Sequence, residues 1–198
     1  MRCGRAARYI LIGDYIDRGP DTRKVVDLLM HKQLGGAGQF ICLRGNHEQM
    51  LIAAARQDRS DRDLMNWWTN GGEQTLDSYG CDDPSSLPSS HLGWIETLPL
   101  KARDQKRLFV HAGIRPGIPT ASQSEHDLLW IREPFLSSEI PHESFVVHAP
   151  TGSRLPDLRP NRLNIDTGAC FGGELTTAAF TEEQVGPTYF VNSRGNIW

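Results

Sequence analysis

Twice in its first sixty residues the sequence runs from a short apolar stretch, through a glycine-bearing polar loop, into a helix-periodic segment. The first pass is Tyr9 to Ile12, then the loop from Gly13 to Pro20, then Val25, Val26, Leu28 and Leu29 at helical spacing. Asp21 or Thr22 is placed to cap that helix, and Gly35-Gly36 to end it. The second pass is Phe40 to Leu43, the turn Arg44-Gly45-Asn46, and a helix from His47 to about Gln57. A four-residue apolar run bounded by turn residues reads as a buried strand. Two strand–loop–helix units in succession commit the chain to an α/β layout, with loops gathered at the carboxyl edge of the strands, where sites form.

Beyond these units the pattern changes. Residues 61–99 read as short helices joined by polar turns, with Trp67, Trp68 and Trp94 as anchors and 82–90 as the clearest surface loop. Arg107 to Val110 is a strand running into His111-Ala112-Gly113. Ser144–His148, Leu163–Asp166, Leu175–Phe180 and Thr188–Asn192 are strand-like with no long helix between them, which predicts a second, mostly antiparallel sheet. The expected whole is a single α/β domain, 1–198, with two mixed sheets in a sandwich and flanking helices. His31, His91, His126 and His142 lie in polar or helical contexts that predict exposure.

Composition narrows the function classes. With 38% hydrophobic and 23% charged residues, the 198-residue chain has ordinary globular content. A net charge of -3 argues against a nucleic-acid partner, and no apolar stretch approaches the length needed to span a bilayer. The basic N-terminus lacks the apolar segment of a signal peptide. The four cysteines, Cys3, Cys42, Cys81 and Cys170, are scattered without a C-x-x-C pair, which suits a reducing cytoplasm.

Chemistry concentrates at three strand ends: Gly13-Asp14 with Asp17-Arg18-Gly19, Gly45-Asn46-His47-Glu48, and His111-Ala112-Gly113. Taken singly, each has a plain reading: Gly-Asp as a turn, Asn46 as a turn residue, His47 as a helix-start residue, His111 as a satisfied core histidine, Arg18 as the partner of Asp17 or Asp21. Jointly they form a donor set. Asp14, Asn46 and His111 offer carboxylate, amide oxygen and imidazole, which suit manganese, iron or zinc. Two such ions clamp a phosphate and acidify a water for in-line attack on phosphorus. Arg18 matches phosphate oxygens with a fork of donors. His47 can give a proton to the leaving alkoxide while Asp17 fixes its tautomer.

At this point the sequence resembles a known family. Gly-Asp-Tyr-Ile-Asp-Arg-Gly at 13–19, Gly-Asn-His-Glu at 45–48 and His-Ala-Gly at 111–113 are similar to successive signatures of the phosphoprotein phosphatases, a family of metallophosphoesterases. Leu-Leu-Trp-Ile-Arg-Glu-Pro at 128–134 and Arg-Pro-Asn-Arg-Leu-Asn-Ile-Asp-Thr-Gly-Ala at 159–169 resemble its bacterial, lambda-type serine/threonine branch. The resemblance implies a dinuclear, often manganese-loaded site in a β-sandwich. Asp14 would bridge the ions, Asn46 and His111 would ligate the second, and Asp17–His47 would be the acid pair. Arg18 and Arg132, with Asn46 beside them, would grip phosphate. The implied substrate is a phosphorylated protein or small phosphoester. Asp17 and Glu48 favour the protein phosphatases over the related diadenosine tetraphosphatases, which tend to replace the aspartate and to read Gly-Asn-His-Asp.

Two departures stand out. Family members begin with a strand ending in Gly-Asp-x-His-Gly, and no Asp-x-His occurs in this sequence. The resemblance then implies a domain lacking the usual first strand, whose first site keeps only Asp14 and which binds at most one metal. Further on, the family's Val-Val-His-Gly-His-Thr-Pro is replaced by Val146-Val147-His148-Ala149-Pro150-Thr151, with Pro150 at the position of a ligand histidine. His148, two residues earlier and on the same strand face, is the candidate substitute. A member that binds phosphate or a partner without turnover is the competing expectation.

Overall fold

A computed structural model of the protein describes residues 7–36, 38–149 and 152–198. Pro150 and Cys3 lie outside the described residues. The chain divides into two compact units, Met1–Pro99 and Leu100–Trp198.

In the first unit β1 (Tyr9–Leu11) pairs in parallel with β2 (Phe40–Cys42), Ile10 opposite Ile41. Between them runs α1 (Thr22–Gly35), which buries Val26 and Leu29. The Asp21 carboxylate accepts from Lys24 Nζ at 2.6 Å and makes no cap to α1. A Cβ on Gly36 would meet the Lys32 carbonyl at 2.7 Å, so glycine is what lets the chain leave the helix there. From β2 the chain enters α2 (Asn46–Ala55), which buries Met50, Leu51 and Ala54.

Short helices follow: α3 (Asp61–Trp67), capped by Ser60, whose hydroxyl accepts from Asp63 N–H; a π-helical turn, Trp68–Gly72; α4 (Glu73–Tyr79); and α5 (Ser89–Thr97). A 3₁₀ turn at Pro84–Ser86 lies within the expected surface loop. Leu29, Cys42 and Leu98 form a core on which Leu11, Tyr15 and Trp94 pack. Trp67 is fully buried, whereas Trp68 is 41% exposed and is not an anchor. His91, expected at the surface, is buried because Tyr79 OH lies 2.8 Å from its Nδ1 and Asp27 3.3 Å from its Nε2.

The second unit centres on a five-stranded mixed sheet. Its members are β3 (Lys101–Arg103), β4 (Arg107–Val110), β5 (Phe145–His148), β6 (Asp157–Leu158) and β7 (Arg162–Asn164), in the order β3-β4-β5-β7-β6. β4, β5 and β7 are parallel, and the edge strands β3 and β6 antiparallel. A separate antiparallel pair joins β8 (Thr176–Ala179) to β9 (Tyr189–Asn192). The expected antiparallel arrangement of the C-terminal strands holds for β8 and β9 and fails for β5 and β7, which extend the β4 sheet in parallel. All four residues of β4 and of β5 are buried, as strands at the centre of a parallel sheet are. Leu108, Val110 and Val146 pack with Leu128 of α6 (Glu125–Trp130), Ile131 and Phe135. The class is α/β, a mixed sheet with flanking helices.

Candidate active site

In the first unit the loops after β1 and β2 carry the predicted residues, and their backbone is unusual. Asp14, Asp17 and Arg18 have φ of 60°, 68° and 62°. Non-glycine residues in this region are uncommon, cost roughly 1–3 kcal/mol each, and persist where surrounding bonds over-determine them.

Those bonds are present. Glu48, on the first turn of α2, is completely buried. Its Oε2 accepts from Asp14 N–H and Gly45 N–H, each at 2.8 Å, and its Oε1 from Tyr15 N–H at 2.7 Å. One carboxylate thus fastens the β1 loop to the β2 loop. A Cβ at Gly45 would overlap Asp14 Oδ1, so only glycine admits the two loops this close. His47 N–H donates to Asp14 Oδ1 at 3.2 Å, which aims the carboxylate at the start of α2, where the buried Asn46 stands. Burial, and after it the charge of Asp14, pushes the Glu48 carboxyl up to about 7, against the pull of its three N–H donors.

Asp17 and His47 meet. His47 Nδ1 lies 2.7 Å from Asp17 Oδ2, with both side chains nearly inaccessible. The other oxygen, Oδ1, accepts from Trp67 Nε1–H at 3.0 Å and from the Thr75 hydroxyl at 2.8 Å. With Oδ1 occupied, Oδ2 takes the Nδ1 proton, and Nε2 remains to carry a transferable one. Burial opposes a charged His47 ring, but the bond to Asp17 and the negative charge of Asp14 outweigh it, so its pKa is raised. Arg18 is exposed, and its backbone N–H donates to the Gly71 carbonyl at 3.0 Å.

In the second unit His111 follows β4 and His148 ends β5, on adjacent parallel strands. The Ala149 N–H donates to the His111 carbonyl at 2.8 Å, tying the two strand ends together. Gly113 has no room for a Cβ beside the Phe135 ring. His148 is fully buried against Phe135, opposite Asn164 in register. Its Nδ1–H donates to the Ala149 carbonyl at 2.8 Å, while Nε2 has no hydrogen-bond partner among the described residues. Burial holds its pKa down to about 4, so the ring is neutral with its Nε2 lone pair unused. Arg132 is half-buried and donates to the carbonyls of Trp130 (3.3 Å) and Ile131 (3.1 Å), while Glu133 accepts from Ser137.

The donors fit a divalent cation in kind. In the first unit, taken by itself, the Asp14 carboxylate and the Asn46 amide are donors of this kind; in the second, the buried His148 imidazole has an orphaned nitrogen in the ligating protonation state. Among the described residues no three His, Cys, Asp or Glu side chains gather as a metal cage. Sequence reasoning did not single out Trp67, Gly71 and Thr75 as partners of Asp17 and Arg18, nor Glu48 as the clamp between loops. The signal available was a buried-type tryptophan followed within eight residues by Gly-Gly and a threonine.

The calcineurin-like phosphoesterase family model matches residues 3–189. The chain is 32% identical over 180 residues to serine/threonine-protein phosphatase 1 of Salmonella typhimurium, covering 85% of this chain and 76% of that one. It is 25% identical over 190 residues to the asymmetrical bis(5'-nucleosyl)-tetraphosphatase of Anoxybacillus flavithermus, covering 86% and 74%. A solved structure, described as that of a candidate diadenosine tetraphosphatase, superposes with a TM-score of 0.65 at 21% identity, covering 96% of this chain and 78% of that one. That likeness speaks for the fold. A family match over nearly its whole length, joined to the Asp17–His47 pair and the strand-end donors, leads to one conclusion: the chain belongs to the calcineurin-like phosphoesterase family.

Proposed function

We propose that this phosphoester hydrolase is a manganese-dependent serine/threonine protein phosphatase, with His47 as the proton donor to the leaving alkoxide. The carrying observation is the 2.7 Å bond from His47 Nδ1 to a buried Asp17 whose other oxygen is already taken. A serine or threonine alkoxide is a strongly basic leaving group and requires an acid; a nucleotide leaving from a polyphosphate is far less basic and requires none. The 32% identical Salmonella relative supports the same class.

Divalent metals serve this family, and when bound they neutralise phosphate charge and lower the pKa of a bound water to about 7. In this reading Asp14, Asn46 and His111 are ligands, and His148 is a further one through Nε2. Arg18 and Arg132 bind the phosphoryl oxygens, Asn46 contributes a donor beside them, and Asp17 holds His47 in its tautomer. The partner is a phosphorylated protein or a small phosphoester. Cys42 and Cys81 are free thiols, which suits the cytoplasm.

A dinucleoside tetraphosphatase is the second reading, favoured by the Anoxybacillus relative. The test compares a phosphoserine peptide with diadenosine tetraphosphate, using the product of the complete reading frame and manganese. The expected result is at least a tenfold preference in kcat/KM for the peptide, and a loss of about 10²–10⁴-fold in peptide rate for His47→Asn. Preference for the dinucleotide assigns the second reading. Metal binding without turnover of either substrate assigns the binding-only alternative.

A further inference from the structure

Asp17 of the acid pair and Arg18, the arginine assigned above to phosphate, are neighbours in the loop after β1, yet what holds them is a helical segment fifty residues further along. Three groups from 67–75 reach the dipeptide Asp17-Arg18. Trp67 Nε1–H donates to Asp17 Oδ1 at 3.0 Å. The Gly71 carbonyl accepts from Arg18 N–H at 3.0 Å. The Thr75 hydroxyl donates to Asp17 Oδ1 at 2.8 Å and accepts from Asp17 N–H at 2.9 Å.

The segment is shaped for this. It is not a regular helix: Gly71, at φ 103°, breaks it with a kink between α3 and α4. A Cβ on Gly71 would lie 2.7 Å from Arg18 Cγ and 2.9 Å from its backbone nitrogen. A Cβ on Gly72 would lie 2.6 Å from the Trp67 ring. The first glycine therefore admits the Arg18 backbone, and the second lets the indole lie flat where its N–H meets Asp17. Trp67 and Thr75 are both fully buried.

We propose that the 67–75 segment is the positioning element of the acid pair and of Arg18, with Trp67 and Thr75 as positioning residues for Asp17. Their two donors fix the rotation of the carboxylate so that Oδ2 faces His47 Nδ1, and the Gly71 carbonyl holds Arg18 in its left-handed conformation. The catalytic part of this inference rests on the acid role given to His47 above; the geometric part does not, and the experiment reads the two separately.

The geometric readout is the Nδ1 proton of His47, recorded by NMR on the metal-free, ¹⁵N-labelled full chain at one pH. A low-field Nδ1 proton is expected in the parent and in Thr75→Ser, which keeps the hydroxyl. It moves or is lost in Thr75→Val and in Trp67→Phe. The catalytic readout compares a phosphoserine peptide with an aryl phosphate whose leaving group is acidic. Thr75→Val and Trp67→Phe are expected to lose roughly tenfold to a hundredfold in kcat on the peptide, the range for residues that orient a functional group from behind. KM should stay within about twofold, the aryl phosphate should lose much less, and Thr75→Ser should restore the peptide rate.

An unchanged His47 signal in both donor-deleting variants overturns the proposal, whatever the activity. Equal losses on both substrates, with Thr75→Ser as impaired as Thr75→Val, overturn the catalytic part. If the parent hydrolyses neither substrate, the function reading fails while the NMR result still decides the geometry.

Discussion

In the first unit two buried carboxylates, Asp17 and Glu48, each collect three donors, several of them backbone N–H groups of a loop forced into left-handed conformations. The second unit also has such a carboxylate, Asp127, which accepts from the Arg115 and Ser124 side chains, and leans mainly on buried cations. Arg107 donates to Asp104 and to the carbonyls of Thr181, Gln184 and Val185, with its guanidinium 4.5 Å from the Phe180 ring. Arg162 donates to the carbonyls of Leu136 and Ser138 and to the Asn161 side chain. Anions gather N–H groups and cations gather carbonyls, so the two devices stabilise different things. A carboxylate beneath a strand-end loop holds that loop's N–H groups inward and fixes its backbone. An arginine in a strand reaches outward and closes irregular chain over the sheet. The first device orders a loop; the second finishes a fold.

The largest effect should come from removing one device of each kind. Glu48→Ala leaves three N–H groups without their acceptor inside the protein, and breaking such a buried network costs about 3–5 kcal/mol. Glu48→Gln keeps one acceptor oxygen and should recover part of that. Arg162→Met bares the half-buried carbonyl of Leu136, which water can reach, while Ser138 keeps the Asn161 Nδ2 donor, and should cost about 1–2 kcal/mol. Urea unfolding, followed by amide exchange of α2 for the first unit and of β5 and β7 for the second, measures both. A larger loss from Arg162→Met would reverse the comparison.

Acid and alkali should separate the two units in the metal-free protein. Glu48 is raised from 4.5 to about 7 by burial and by Asp14, and His47 is raised by Asp17 and Asp14 against its burial. A group raised on folding contributes stability below its unfolded pKa and loses it as pH climbs through the folded value. The first unit should therefore weaken between about pH 4.5 and 7 and stay weaker above. His148 is depressed from 6.5 to about 4 by burial. Its unfolded form binds the proton more readily, so the second unit should weaken as pH falls from 6.5 towards 4. Each swing is on the order of 3 kcal/mol. Amide exchange at pH 5 and pH 8 reads the units side by side, and His148→Leu should flatten the acid limb. Parallel changes in both units would show that other groups dominate.

Much of this was legible in the sequence, for a definable reason. The runs Tyr9–Ile12 and Phe40–Leu43 announce strands because burial on both faces leaves no polar alternation, and the glycines after them announce loops. The Asp17–His47 pair could be read because both residues sit in short, dense polar clusters. The direction of β5 and β7 could not be read, since parallel and antiparallel pairing is decided by partners distant in sequence. Trp68 and His91 were misplaced for a related reason. Helical periodicity does not announce a kink such as that at Gly71, and the burial of His91 depends on Tyr79 and Asp27 arriving from two other helices. Trp67 was read only as an anchor and Thr75 not at all, because a tryptophan at helical spacing reads as core and a threonine in a helix as neutral; only the fold aims their donors at Asp17.

The smallest effect sharpens the comparison most, because it sets two glycines with the same backbone preference against each other. Gly71 and Gly168 both have positive φ, 103° and 73°. Alanine at either must adopt a conformation that costs an L-residue about 1–2 kcal/mol. At Gly168 nothing lies within 4 Å of the added Cβ, so Gly168→Ala should show that backbone cost and nothing more, about 1 kcal/mol in urea. At Gly71 the Cβ lies 2.7 Å from Arg18 Cγ and 2.9 Å from its backbone nitrogen, and the Arg18 N–H is the donor to the Gly71 carbonyl. Gly71→Ala must add displacement of Arg18 to the backbone cost, for a total of about 2–3 kcal/mol. If Arg18 grips phosphate, the displacement has a second readout: inorganic phosphate should inhibit Gly71→Ala several-fold less tightly and leave Gly168→Ala unaffected. Equal stability losses would mean the loop after β1 gives way to a methyl group without strain. A stability loss at Gly71 with phosphate inhibition intact would keep the close packing and remove Arg18 from the phosphate site.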